Sequence, residues 1–481
     1  MTGDQAKKAV AQQVSVGDAG AARREVYLDY AAATPVDPEV VAAMLPYLTE
    51  KFHNPSAPYA LARGVRADVE AARAQIARAI GARPGNVVFT AGATEANNLA
   101  FACVDGEVVT DAAEHESVLA CAQGRACRIV GVAPDGRVDA REVAAAITPQ
   151  TELVSIELAN GEVGAVQPVR DISRAVVAER ARRLEAGERR PIYLHTDASQ
   201  AAGALSVNVS SLGCDLLTLS AAKIHGPKQV GLLWASDDVA LRPLVRGGGQ
   251  ESGVRSGTEN VAGIIGFAKA MELTLERRSG EAKRLRSLRD RLQRELAAEF
   301  PWAVVQGPKA AKLRLPGLLH VGFPGLEARR LVIELERAGV SVGTGSACAA
   351  SRMRSSHVLA AMGVPDEVAQ GSLRITLGAQ TSEEDVEYAV AAISGAVRAE
   401  AARVGLEGLL AASPAAAAVP VASPAPAGAP LPVTPASPHA KWDMNRAQDV
   451  SFCKEDAKTP YAADGDRVSC KDGSAEKGGE R

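Results

Sequence analysis

Two apolar, β-rich runs follow one another near the middle of the chain, and each ends on residues that carry chemistry. Pro191-Ile-Tyr-Leu-His-Thr196 runs into Asp197-Ala-Ser-Gln200, and Cys214-Asp-Leu-Leu-Thr-Leu-Ser220 runs into Ala221-Ala-Lys-Ile-His-Gly-Pro-Lys228. Short continuous apolar runs suit strands buried on both faces, the condition of a parallel sheet covered by helices. Residues 86–90, 107–110, 128–132 and 152–156 read as further strands, and 140–147 and 169–184 as helices between or after them. Residues 92–95 open another helix that continues through 98–101. The alternation predicts an α/β fold with a mainly parallel sheet.

After Gly263 the pattern changes. A long amphipathic helix is expected from about 271 to 299, followed by a smaller α+β unit. Its elements are a strand at 318–323, a helix at 327–338, a strand at 340–342, a helix near 355–362, a strand at 373–376 and a helix at 383–402. The expected organisation is therefore a flexible arm at 1–24, a large domain at 25–265 and a small domain at 266–408 packing with the N-terminal segment. A tail follows at 409–481. Prolines run throughout 411–440, which suits neither a helix nor a central strand, and 441–481 is polar and charged; both stretches are expected to be disordered.

Bulk properties exclude several classes. A length of 481 residues with 47% hydrophobic and 23% charged residues is ordinary for a globular protein of two domains with extensions. A net charge of -3 gives no global basic footprint for direct nucleic-acid binding. No apolar run reaches membrane-span length, and Lys7 and Lys8 have no apolar core behind them, so neither a membrane protein nor a secretory signal is expected. Seven scattered cysteines without C-x-x-C spacing form neither a disulfide framework nor a metal site. Cys103, Cys121, Cys127 and Cys214 read as small core residues, Cys453 and Cys470 as incidental, and the compartment as cytoplasmic.

An acid followed by a strand-end lysine is what pyridoxal phosphate (PLP) chemistry requires. The lysine holds the cofactor as a Schiff base, and the acid keeps the pyridine nitrogen protonated so that the ring accepts electrons. Any α/β protein also places charges at strand ends, so Asp197 and Lys223 alone do not decide. Ala91-Gly-Ala-Thr-Glu95 offers a helix N-terminus and the Thr94 hydroxyl for a phosphate, or simply a capped helix. Ser220 lies three residues before Lys223 and could reach the same phosphate. His115 suits stacking and proton transfer, or a structural role.

Further blocks occur in order along the chain: Tyr27-Leu-Asp-Tyr-Ala-Ala-Ala-Thr-Pro-Val-Asp37, Asn54-Pro-Ser56, Phe89-Thr-Ala-Gly-Ala-Thr-Glu-Ala-Asn-Asn98, Glu114-His115, Ala159-Asn-Gly-Glu-Val-Gly164, His195-Thr-Asp-Ala-Ser-Gln200, Lys223-Ile-His-Gly-Pro-Lys228, Gly247-Gly-Gly-Gln-Glu-Ser-Gly-Val-Arg-Ser-Gly-Thr258, Gly345-Ser-Ala-Cys348 and Ser372-Leu-Arg-Ile375. The set resembles the cysteine desulfurases, PLP enzymes of the class V aminotransferase family, over about residues 27–402.

That resemblance implies fold type I, with a seven-stranded large domain and a smaller α+β C-terminal domain. It implies that Lys223 carries the cofactor, Asp197 pairs with the ring nitrogen, Gln200 and Asn160 lie by the phenolic oxygen, and His115 stacks on the ring. Thr94, Ala93 and Ser220 hold the phosphate. Thr258 does so from a neighbouring subunit, which makes the protein a homodimer with shared sites. Arg374, with Asn160, receives the substrate, its planar fork matching a carboxylate. Cys348, on an expected mobile loop, is the nucleophile as its thiolate. The implied reaction turns L-cysteine into L-alanine. Sulfur is then carried as a persulfide on Cys348 to an acceptor protein, an iron–sulfur scaffold or a tRNA-thiolation protein. No resident metal is implied beyond transient cluster ligation at Cys348.

Ala222 departs from the family's histidine at the position before the lysine, and Met353-Arg354 departs from its cysteine loop. The stretch between Leu99 and Glu107 is shorter than usual, and the helix before Pro191 carries an Arg/Glu-rich extension. Two other readings remain at this stage: a PLP lyase for selenocysteine or cysteine sulfinate, and a non-catalytic scaffold paralogue.

Overall fold

The first strand among the described residues belongs with the last third of the chain. In the computed structural model, which describes residues 24–344, 356–406 and 408, β1 (Val26–Leu28) pairs in parallel with β11 (Val340–Val342). The arm expected at 1–24 (Arg24 excepted), the tail at 409–481, and Cys348, Cys453 and Cys470 lie outside the described residues.

The principal sheet has seven strands: β2 (Val87–Thr90), β3 (Glu107–Asp111), β4 (Cys127–Val130), β5 (Thr151–Ser155), β6 (Tyr193–Asp197), β7 (Leu216–Ser220) and β8 (Gly231–Ala235). Their order is β2-β8-β7-β6-β5-β3-β4. All neighbours are parallel except β8, which runs antiparallel to both β2 and β7. β2 and β8 are buried at every position and β7 at all but its last, which is why their sequences show no alternation. Helices include α1 (Pro38–Met44), α2 (Pro46–Thr49), α3 (Ala60–Ala79), α4 (Ala93–Ala102), α5 (Glu116–Gln123), α6 (Ala140–Ala146), α7 (Val169–Glu185) and α8 (Val209–Leu212).

α9 (Val261–Glu299) has 39 residues and joins the two lobes; at 1.5 Å per residue it is ~58 Å long. Ile264, Phe267 and Met271 on its first half enter the core of the large sheet, while Leu288, Leu292 and Leu296 enter a second core around the smaller sheet. The expected start near 271 was too late. The Asn260 side chain caps the helix at Gly263 N–H (3.1 Å), and Gly266 is a site of close packing, where a Cβ would stand 2.6 Å from Met44 Sδ. Another element presses against the helix there, and only a residue without a side chain fits. The boundary we propose between domains, 265/266, falls within this helix.

The smaller lobe carries β9 (Val304–Gln306), β10 (Leu318–Gly322) and β12 (Ser372–Thr376), antiparallel in the order β12-β10-β9. Its helices are α10 (Ala328–Arg337), α11 (His357–Ala361), α12 (Asp366–Ala369) and α13 (Glu383–Arg403). A capping box closes the head of α13, Ser382 and Asp385 each accepting the other's backbone N–H. Among the described residues no helix is long and apolar enough to cross a membrane.

Candidate active site

The carboxyl ends of β3, β5, β6 and β7 lie along one edge of the sheet, where open α/β sheets collect their functional groups. Lys223 occupies a 3-10 turn directly after β7. Its Nζ donates to the carbonyl oxygens of Ala31 and Ala32, each at 2.7 Å. Thr34 fixes that strap by donating its N–H (3.1 Å) and hydroxyl (3.0 Å) to the Ala222 carbonyl. Gln200 Nε2 donates to the Ala31 carbonyl as well, at 3.0 Å. A Cβ on Gly161 would stand 2.8 Å from the Gln200 amide carbon, so Gly161 leaves room for that side chain.

Asp197 closes β6. Its Oδ1 accepts from Ser199 N–H at 2.9 Å and its Oδ2 from Asn97 Nδ2 at 2.8 Å. Asn97, wholly buried on α4, also donates to Ser117 Oγ at 2.9 Å. Two residues back along β6, His195 is held between Ser155 Oγ (2.9 Å) and Thr218 Oγ1 (3.0 Å). Burial pushes its pKa down to about 4, against the pull of Asp197, so it sits under the acid as a neutral ring.

His115 caps α5 with its own ring. Ser117 N–H donates to Nδ1 at 3.1 Å, and a backbone N–H can only donate, so Nδ1 is the acceptor. The neutral ring therefore carries its proton on Nε2. Loss of hydration in the concave site lowers its pKa, as does Lys223, while Asp197 opposes them.

The anion corner is built from backbone. Gly92, with φ of 133°, turns β2 into α4 without a side-chain cap. The first-turn amides of Ala93, Thr94 and Glu95 thus have no acceptor within the helix, and the positive end of its dipole points outward. Thr90, Gly231 and Ser220 are paired in one row across β2, β8 and β7. A Cβ on Gly231 would lie 2.8 Å from Gly92 Cα. That close approach brings Ser220 to the head of α4.

Arg374, on β12, is buried; its Nη2 donates to Asp29 Oδ1 at 2.8 Å and its Nη1 to the Gly161 carbonyl at 3.4 Å, while Nε is buried without a partner. Gly343 covers this fork, and a Cβ there would stand 3.0 Å from Nε and 2.9 Å from Asp29 Oδ1. Through Gly161, Arg374 is joined to Gln200 and hence to the lysine.

Two expected ligand residues behave differently. Asn160 is saturated: Nδ2 donates to Glu157 Oε1 (2.8 Å) and the Ala113 carbonyl (3.0 Å), and Oδ1 accepts from the N–H groups of Glu162 and Val163 (both 2.9 Å). Thr258 is exposed at the rim of a cavity it shares with Leu48, Phe52 and His53, apart from the cluster.

An amine at a strand end, a carboxylate with a fixed orientation and a helix N-terminus for an anion make a donor set that fits PLP. The profile of the family described as "Aminotransferase class-V" matches residues 26–389. The chain belongs to that family. Its members are PLP-dependent enzymes. The chain is 41% identical over 378 residues to the cysteine desulfurase IscS of Dictyoglomus turgidum, covering 76% of this chain and 93% of that one. It is 39% identical over 384 residues to cysteine desulfurase IscS 1 of Archaeoglobus fulgidus, covering 77% and 96%. A solved structure titled "NIFS-LIKE PROTEIN" superposes with a TM-score of 0.70 at 34% identity, covering 77% of this chain and 99% of that one. Another, a NifS-like protein from Rickettsia africae, gives 0.70 at 29% identity, covering 78% and 99%.

Sequence reasoning missed Asn97, Ser117 and Asp29 as partners of the class-V residues. Asn97 lies one helical turn beyond Thr94, a spacing that puts both on one face and could have pointed to it.

Proposed function

We propose that this class-V protein is a PLP-dependent cysteine desulfurase that converts L-cysteine to L-alanine and carries the released sulfur as a persulfide on Cys348. The observation that supports this most directly is the convergence of Lys223, Asp197 and the buried fork of Arg374. When bound, PLP supplies an electron sink for the charge left by loss of the substrate's α-proton.

Lys223 Nζ is the attachment point for the cofactor and the base that moves the α-proton; the carbonyls of Ala31 and Ala32 aim it until then. Asp197, oriented by Asn97 and Ser199, would hold the proton on the ring nitrogen. His115 would offer Nε2–H to the ring. The head of α4 with Ala93, Thr94 and Ser220 would receive the phosphate. Arg374 would exchange Asp29 for the substrate carboxylate. Gln200 would serve the phenolic oxygen. Asn160 lies beside it and supports that wall.

We also propose a homodimer in which Thr258 serves the partner's phosphate. Leu48, Phe52 and Leu61 are 61%, 69% and 64% exposed. Leu48 and Phe52 line the cavity that Thr258 borders, and an apolar surface of this kind is suited to a second copy. The sulfur acceptor is an iron–sulfur scaffold or a tRNA-thiolation protein, and the compartment is the cytoplasm. Cys214, whose pKa burial pushes up to about 12, is an inert core thiol with no role in transfer.

Incubation with L-cysteine and PLP tests the reading. Alanine should form, and extra sulfur should appear on the Cys348 peptide. Cysteine turnover that survives intact in Cys348→Ala would refute it.

A further inference from the structure

Beneath the wall formed by His115 and Asn160 lie three carboxyl groups that the proposed chemistry does not use. Asp111 ends β3, Glu157 follows the neighbouring parallel β5, and Glu114 lies on the loop between β3 and α5. Asp111 and Glu114 are wholly buried and Glu157 nearly so. Ionised together, they would repel one another in surroundings that screen poorly. Asp111 Oδ2 and Glu114 Oε1 are buried without a hydrogen-bond partner. Each is a place where a carboxylic proton can be held or accepted.

Three of the other oxygens are tied to the wall. Glu157 Oε1 accepts from Asn160 Nδ2 at 2.8 Å. Asp111 Oδ1 accepts from Ala113 N–H at 2.8 Å, and the Ala113 carbonyl takes the second Asn160 hydrogen at 3.0 Å. Glu114 Oε2 accepts from His115 N–H at 3.3 Å.

We propose that Asp111, Glu114 and Glu157 are positioning residues that keep their protons and thereby hold Asn160 and His115 in the wall of the site, and that ionising them at alkaline pH loosens that wall. The proposal rests on the desulfurase reading only for what the wall faces. Burial pushes Asp111 up to about 7, and burial with repulsion from the other acids holds Glu114 and Glu157 well above the ordinary carboxyl range. The facing groups do not relieve this. Asp197 on β6 adds repulsion to both glutamates, and Glu162 adds it to Glu157. At the head of α5, burial lowers the pKa of His115, and Lys223 lowers it further. From the head of α11, His357 Nε2 meets the Glu114 carbonyl at 2.9 Å and the Ser356 hydroxyl binds Glu162.

Infrared difference spectra of the full chain without cofactor, wild type against Asp111→Asn and against Glu157→Gln, test the cluster directly. The wild type should show a protonated carboxyl C=O band at neutral pH, where ordinary carboxyls have ionised, and either variant should weaken it. With PLP and cysteine, the alkaline limb of kcat/KM in Asp111→Asn should move up by about one pH unit, because the acid that ionises first is gone and the limb passes to the two glutamates, whose protons leave at higher pH. A wild type without the band at neutral pH overturns the proposal, as does an alkaline limb unmoved in both variants. The band needs neither cofactor nor substrate. Its presence beside a blank alanine assay supports the cluster and counts against the desulfurase reading alone.

Discussion

Truncating Glu251 should release the loop that carries Thr258, and the structure lets the size of the effect be worked out. Glu251 and Ser252 both adopt left-handed backbone, with φ of 47° and 56°. Neither is glycine, so each residue costs roughly 1–2 kcal/mol. What holds them there is a bidentate pair between Arg73 and Glu251, with Nη1–Oε2 and Nη2–Oε1 both at 2.7 Å. Phe89 N–H adds a third bond to Oε2 at 2.9 Å. The Glu251 side chain is only 4% exposed and Arg73 packs over the Phe89 ring. Removing one partner of a buried pair costs about 3–5 kcal/mol, which exceeds the strain it offsets, so Glu251→Ala should let the loop relax. Limited proteolysis should then cut within 247–258 much faster than in the wild type. If Thr258 donates to the partner's phosphate, losing a hydrogen bond to a charged group, about 1.5–3 kcal/mol, should weaken PLP binding about ten- to a hundredfold. Ser252→Gly should act oppositely and stabilise the protein by about 1 kcal/mol in chemical denaturation. A Glu251→Ala protein with unchanged loop proteolysis and unchanged PLP affinity would refute the reasoning, and so would a destabilised Ser252→Gly.

Asn97→Ala removes a donor from Asp197 and from Ser117 at once. It should weaken PLP binding about ten- to a hundredfold, the worth of one bond to a charged acceptor, as read by absorbance titration; full affinity would mean that Asp197 needs no orienting partner. His320 is wholly buried opposite Arg374 with both ring nitrogens unpartnered, and burial, helped by that guanidinium, pushes its pKa down to about 3. It stays neutral in the folded protein while the unfolded imidazole titrates near 6.5, so His320→Leu should stabilise by about 1–3 kcal/mol above that value and by more as pH falls below it; destabilisation in urea would disprove this. The raised pKa of Asp111 has the opposite consequence for folding stability: its contribution is fully present below the unfolded-state value and is lost as pH rises through about 7. The melting temperature of Asp111→Asn should therefore gain on the wild type as pH rises across that window, and a constant difference would count against the shift.

How much of this could be read beforehand depends on the distance along the chain over which each feature is decided. β3, β5, β6 and β7 were legible because burial on both faces leaves an apolar run that needs no partner to be recognised. β8 carries the same signal, but nothing local says that Gly231–Ala235 inserts antiparallel between β2 and β7. Lys223 and Asp197 stood out because strand ends are local features. Asp29 did not, since its contact with Arg374 spans 345 residues. The buried acids are the extreme case. At the end of an apolar run, Asp111 reads as the solvated polar residue that usually stops a strand, and Glu157 reads the same way. Only the parallel pairing of β3 with β5, closed over by the Asn160 turn and the heads of α5 and α11, turns two ordinary strand stops into an interior cluster. The composition of such a cluster can be seen in the sequence. Its ionisation cannot, because the pKa of a carboxyl is set by the neighbours that folding brings to it, and here those neighbours come from five separate elements.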